Sequence, residues 1–361
     1  MSQDYLKVNG SKEREIIGQN YFDELVKRSF FQDVEVDLPE YGNIRCKIHD
    51  FVHDFLQYVT NNEYLNFDSK LEPNSDEEVP YDKVHHLTLM DPVTGYSMHR
   101  ILPNCKRLRT IRAIDGSHYS IDLIFQLIVE LKSLRTLALC SVSNDIPYAI
   151  DVTLEIPKMI GGLIHLRYLD LSGNGELKEL PSVMGSLYNL QTLKLVGCWG
   201  LEEIDVGRLI NLRHLYVNKC SERVLIKGIE KLKHMQTLDW FPVVRCYDMD
   251  EGNKWEQLKD VNQLQGSLSI YMKHSRKMAK NAAVMVNKSR LLELKLEFYW
   301  NVAEEREIMN GLEPHPCLES LSIDGYGGDA FSDWFSSLHC LRVLSLIACR
   351  HYARSSLKGR S

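Results

Sequence analysis

The chain has 361 residues, 44% of them hydrophobic and 25% charged, with a formal net charge of -6. That is ample material for a large core, and the acidic balance gives no general attraction to nucleic acid or to an anionic membrane. No apolar signal segment opens the chain and no apolar run reaches the ~18 residues of a membrane helix, so a cytoplasmic protein without a membrane span is expected. Nine cysteines, an odd number without a short even framework, agree with a reducing compartment. The glycosylation triplets at Asn9 and Asn287 then read as chance matches.

Between Ser11 and Phe31, Ile17, Tyr21, Phe22, Leu25 and Val26 recur at three- and four-residue steps, which predicts an amphipathic helix. A polar loop with Pro39 and Gly42 follows, and Ile44 to Lys47 alternates like a strand. Ile48, Phe51, Val52, Phe55, Leu56 and Val59 then form a strongly amphipathic helical stripe. Helix, strand pair and helix make the closing part of a winged-helix unit, so residues 1–60 are predicted to be a partial winged-helix domain. The second helix carries Asp50 and Asp54 and no basic face, which argues against reading DNA. Residues 61–83, with Glu63, Asp68, Glu72, Asp76, Glu77, Glu78, Pro73 and Pro80, read as a solvated acidic linker.

A different order begins at Val84. Leu163, Leu166, Leu169, Leu171 and Asn174 have the spacing L-x-x-L-x-x-L-x-L-x-x-N, and the frame returns from Leu187, Leu209 and Leu232, at steps of 24, 22 and 23 residues. This is the period of leucine-rich repeats. Following the central apolar residue gives Leu87, Ile111, Leu137, Leu169, Leu193, Leu215, Leu238, Leu268, Leu294, Leu321 and Leu344. The predicted fold class is therefore α/β: a leucine-rich-repeat solenoid of about eleven turns over 84–349, a curved parallel sheet preceded by the partial winged helix. Asn174, Cys198, Cys220 and Cys349 are expected to be ladder residues closing their strands. Ser275 to Asn287 reads as an outer helix, and 350–361 as a basic, uncapped tail.

Chemistry is sparse. His49 and His53 lie four apart on one helical face, the spacing of a zinc hydrolase, but Asp50 stands where that chemistry needs a glutamate and no third ligand is apparent. The sequence has no Gly-Lys dipeptide and hence no phosphate loop, and it has no G-x-S-x-G elbow. No catalytic residue, no metal site and no enzyme activity are expected.

Phe22 to Leu25, Arg28 to Phe31 and Cys46 to Asp54 closely resemble the end of the nucleotide-binding region in plant coiled-coil nucleotide-binding leucine-rich-repeat (NB-ARC) disease resistance proteins, and Leu264 to Ile270, Leu291 to Trp300 and Leu318 to Gly327 are similar to that family's repeats. The resemblance covers most of residues 13–349. The family's Met-His-Asp motif falls on Ile48, His49 and Asp50. The resemblance implies that His49 touches the phosphates of ADP in full-length relatives, which bind ADP or ATP, while this stretch alone holds no cofactor. It also implies a defence role: recognition of a pathogen effector or a guarded host protein, or autoinhibition by contact with a nucleotide-binding domain in the same or another chain. A free-standing repeat scaffold or decoy is the alternative. From the repeat frame, the side chains flanking the inward leucines, Tyr168, Asp170, Thr192, Lys194, His214, Tyr216, Asn218, Asp239 and Phe241, are expected on the concave contact surface. Tyr168, Tyr216 and Phe241 are the anticipated anchors, because aromatics dominate interface energies.

Overall fold

The structure is a computed structural model that describes residues 11–36, 44–60, 63–67, 81–90, 101–113, 128, 130–140, 156, 158–244, 255–273, 284–299, 305–328 and 330–349. It divides into two compact units, residues 1–150 with 156–173 and residues 151–155 with 174–361. Among the described residues no helix is long and apolar enough to cross a membrane.

The first unit opens with α1 (Ser11–Lys27), the antiparallel pair β1 (Phe31–Val36) and β2 (Ile44–Ile48), and α2 (Asp50–Val59). Phe22 of the first helix stacks on Phe31 of the hairpin at 5.3 Å. The amphipathic stripe of α2 is not covered: Phe51, Phe55 and Val59 are all more than half exposed. Five parallel strands follow: β3 (Tyr64–Phe67), β4 (His86–Leu89), β5 (Thr110–Ala113), β6 (Thr136–Leu139) and β7 (Tyr168–Asp170). Their register sets Leu65, Leu87, Ile111, Leu137 and Leu169 side by side, and the last four are fully buried.

The sheet thus starts within the span expected to be linker. Tyr64 to Phe67 is one short rung among acidic residues, too brief to stand out as a repeat, yet it pairs with β4 through Leu65 and Leu87. The last residues of that span, Tyr81–Lys83, form a single short helical turn, while 61–62 and 68–80 lie outside the described residues, as does the 350–361 tail. The expected helix at Ser275–Asn287 lies largely outside them too, and its end at 284–287 is bend and turn.

In the second unit β8 (Thr192–Lys194), β10 (His214–Tyr216) and β12 (Thr237–Leu238) pair in parallel around Leu193, Leu215 and Leu238. On the return leg of these coils, β9 (Glu203–Asp205) and β11 (Leu225–Lys227) form a second parallel pair centred on buried Ile204 and Ile226. Between the two coils Gly228 has a φ of 83°, and a Cβ there would collide with the Gly207 backbone. Glycine is required at that crossing. A second parallel sheet follows in the order β13 (Trp240–Val244), β14 (Gln265–Lys273), β15 (Arg290–Tyr299), β16 (Ser320–Asp324) and β17 (Val343–Ile347). Two short helices, α3 (Glu256–Lys259) and α4 (Glu305–Gly311), lie in the connections. Lys288, 1% exposed, donates from Nζ to Leu258 O at 2.7 Å, tying α3 to the next coil.

The ladder residues behave as polar corners inside an apolar interior. Asn174, Cys198 and Cys220 are buried, and Cys220 Sγ donates to Leu195 O at 3.0 Å in the preceding coil. Cys349, nearer the last rung, is only half-buried. Of the eleven central residues ten are buried, while Leu344 on the edge strand β17 is 48% exposed. A fully buried leucine contributes both transfer energy and filled volume, so Leu215→Ala should cost about 3 kcal/mol and Leu344→Ala under about 1 kcal/mol. Urea unfolding of the two variants checks this, and equal losses would contradict the burial assignment.

Candidate functional site

Tyr168, Asp170, Thr192, Lys194, His214 and Tyr216 stand on the faces of the strands opposite the buried leucines. In the first unit the register lines up Tyr64, His86, Thr110, Thr136 and Tyr168 in one row and Arg112, Ala138 and Asp170 in the next. Tyr64 and His86 stack at 4.5 Å. Tyr168 donates its hydroxyl to Asp170 Oδ2 at 3.1 Å, and Ser172 N donates to Asp170 Oδ1 at 3.0 Å. Burial and then the neighbouring carboxylate push the Tyr168 hydroxyl well above its ordinary range, so it stays a donor. The same two causes push the Cys140 thiol up to about 11. Asp170 is 8% exposed. It orients Tyr168 from below and offers little surface of its own.

In the second unit Thr192, His214 and Thr237 form one row and Lys194 and Tyr216 the next. His214 Nδ1 lies 3.0 Å from Thr237 Oγ1, and Lys194 Nζ sits 4.8 Å from the Tyr216 ring centre, a cation–π contact. Lys194 is buried apart from a small remnant, so it positions the ring. Tyr216 keeps a partly open face.

One expected contact, Phe241, is corrected here, and a second, Asp239, already has structural partners. Phe241 is fully buried and touches no solvent. The alternation slips at Asp239, where β12 ends and β13 begins, and Trp240, Phe241 and Val243 all turn inward. Asp239 is committed to the backbone: Val217 N donates to Oδ1 at 2.8 Å and Asn218 N to Oδ2 at 3.2 Å. Burial pushes its carboxyl up to about 6, against the opposing pull of those amides. It is a clamp between coils.

A cluster absent from the sequence expectation lies beyond the slip. Tyr271 and Lys273 on β14 both donate to the carboxylate of Glu222, which arrives from the loop before β11. These donors hold the Glu222 carboxyl below its ordinary range. Lys273 Nζ also lies 4.8 Å from the Tyr299 ring centre, and Tyr271 sits 5.9 Å from Tyr299 and 6.0 Å from Trp240. On the same face the register places Glu297 and Asp324 beside Tyr271, and Lys295 reaches Glu297 at 3.2 Å. The alternation of Ser269, Tyr271 and Lys273 with buried Ile270 and Met272 is the signal that could have found it.

His49 stands at the N-cap of α2, and Phe51 N donates to its Nδ1 at 3.2 Å. In the neutral ring the proton then sits on Nε2. His53 Nδ1 instead lies 3.4 Å from Asp54 Oδ1, next to it in sequence.

Stacked parallel rungs behind a helix–hairpin–helix unit define a leucine-rich-repeat protein with a winged-helix end. Family models agree: residues 1–56 match the winged-helix domain of disease resistance proteins, and 255–358 match the R13L1/DRL21 leucine-rich repeats. A protein named for disease resistance in Arabidopsis thaliana is 29% identical over 94% of this chain and 24% of its own length. The disease resistance protein RGA1 of Solanum bulbocastanum is 29% identical over 96% of this chain and 31% of its own length. The chain thus spans about a quarter to a third of the curated relatives it matches. Internalin C2 of Listeria monocytogenes superposes on 70% of this chain and 84% of its own at a TM-score of 0.36 and 18% identity, a loose likeness. The resemblance to plant disease resistance proteins holds: a winged-helix model and a leucine-rich-repeat model of such proteins match this chain, and relatives named for disease resistance align along nearly all of it.

Because Asp239 satisfies two amides, Asp239→Ala should destabilise the second unit by about 2 kcal/mol, whatever it does to binding. Urea unfolding at neutral pH checks it, and an unchanged midpoint would return Asp239 to the contact surface.

Proposed function

We propose that this chain acts in plant defence in the cytoplasm, capturing a pathogen effector or a guarded host protein on the strand faces opposite the buried leucines. The observation that carries the proposal is the set of partly open tyrosines, Tyr216, Tyr271 and Tyr299, each held by a neighbouring Lys or Glu. Rings fixed before contact lose little rotamer entropy on binding, which is what an interface anchor requires. Capture there would compete with contacts to a nucleotide-binding domain and shift the balance between a restrained and an active state. Tyr168→Ala with Tyr216→Ala, and separately Tyr299→Ala, should each lower recovery of the captured protein from infected leaf extract at least about tenfold, a loss of about 1.4 kcal/mol. Each variant should still unfold in one cooperative thermal transition. Full recovery with all three changed would overturn the reading.

We further propose that His49 meets an ADP phosphate in a chain that carries the nucleotide-binding part. The support is geometric: with Nδ1 accepting from Phe51 N, the proton on Nε2 is a donor at the start of a ten-residue helix, where anions are favoured. ADP would supply the charge, and His49 would hold it. His49→Ala in such a chain should speed ADP release at least about tenfold, read with a fluorescent nucleotide; an unchanged rate leaves His49 a helix cap alone.

A further inference from the structure

Cys317 and Cys340 occupy the same position in successive coils. Each directly precedes a repeat leucine, Leu318 or Leu341, and the pairing of Ser320 with Val343 carries the two cysteines level. The backbones beside them are already joined: Cys340 N donates to Pro316 O at 3.4 Å, and Arg342 N donates to Glu319 O at 2.7 Å. Desolvation and then the neighbouring Cys340 thiol raise the Cys317 thiol above its ordinary range, the mark of two thiols set side by side. Both lie in the turns that lead into β16 and β17, and the backbone bonds on either side of them hold those turns one coil apart, a separation of the order of the ~4.4–6.8 Å between Cα atoms that a disulfide spans. Among the described residues these are the two exposed cysteines.

Another level pair supplies the contrast. Cys198 and Cys220 also stand one coil apart, since His214 pairs with Thr192, but both are buried. Burial pushes the Cys220 thiol up to about 12, and its Sγ is spent on Leu195 O. Burial closes that pair to oxidants, while the outer pair is exposed.

We propose that Cys317 and Cys340 form a reversible disulfide when the chain meets a peroxide, clamping edge strand β17 to β16. One thiolate attacks a peroxide oxygen, the O–O bond breaks, and the sulfur becomes a sulfenic acid as the first water leaves. The second sulfur attacks the sulfenic sulfur, the S–S bond forms, and the hydroxyl leaves as the second water. Two thiols thereby lose two electrons and two protons, and hydrogen peroxide becomes two waters. A dithiol or glutathione reverses the step by exchange. The strand that gains is the one with most to gain: Val343, Leu344 and Ile347 are each about half exposed, and among the described residues β17 pairs with β16 alone. Closing the pair would hold β17 in register where it otherwise opens first.

The test treats the full chain with hydrogen peroxide at dilution and counts thiols before and after. Two of the nine should disappear and return with dithiothreitol, and peptide mass spectrometry should join Cys317 to Cys340. Hydrogen exchange of the β17 amides should slow at least about tenfold in the oxidised form, with the β8 amides unchanged. Cys317→Ser and Cys340→Ser, both at exposed positions, should each abolish the cross-link and the protection. Retention of all nine thiols, a link between chains, a link at Cys198 and Cys220, or unlinked sulfenic acid at both exposed cysteines would overturn the proposal.

Discussion

A single coil of this chain buries nothing by itself. Leu215 leaves water because Leu193 on one side and Leu238 on the other complete its surroundings, and both depend in turn on their own neighbours. Backbone pairing travels with the leucines: Leu195 N donates to Tyr216 O and Gly197 N to Asn218 O, so one register serves both the apolar interior and the amide ladder. A rung cannot slip by one residue without losing both, because the slip would turn every leucine outward. The outer pair β9 and β11 closes the other side of the same coils, and Lys227 meets Glu203 at 2.8 Å across it.

That shared register explains what the sequence made legible. A period of two dozen residues is visible because each coil repeats one geometric task, and the central residues from Leu87 to Leu344 all fall on strands. Breaks in the task are not visible. Tyr64 to Phe67 forms a rung from four residues, too few to carry a period of their own. At Asp239 the chain uses both carboxylate oxygens to hold Val217 and Asn218, and from there Trp240 and Phe241 turn inward together. The repeat frame alone predicts Phe241 outside, and the break at Asp239 turns it in. The Glu222, Tyr271 and Lys273 cluster was hidden for a related reason, since its members are 49 and 51 residues apart in sequence.

The winged-helix end follows other rules. The stripe on α2 is amphipathic, as its three- and four-residue spacing predicts, yet none of its residues is buried. Periodicity states which side of a helix prefers to leave water and says nothing about what stands opposite. His49 shows the same division between local and distant causes. Its cap to Phe51 follows from residues two apart, whereas a phosphate contact depends on residues far off in sequence.

The relation between burial and availability orders the polar residues of the strand faces. Asp170, Lys194 and Asp239 are drawn close to the sheet by the groups they serve: a hydroxyl, a ring and two amides. Each carries charge, but spending it on a partner would first cost the contact already made. Tyr216 and Tyr299 stand one step further out, each with a lysine over its ring and part of its surface open. Charge on this surface therefore fixes the orientation of rings, and the rings are what a second protein would meet. Residue type alone would rank an aspartate and a tyrosine as equal candidates. The hydrogen bonds beneath them separate the two, because a side chain already satisfied by its own fold has less to gain from a visitor than one held open by its neighbours.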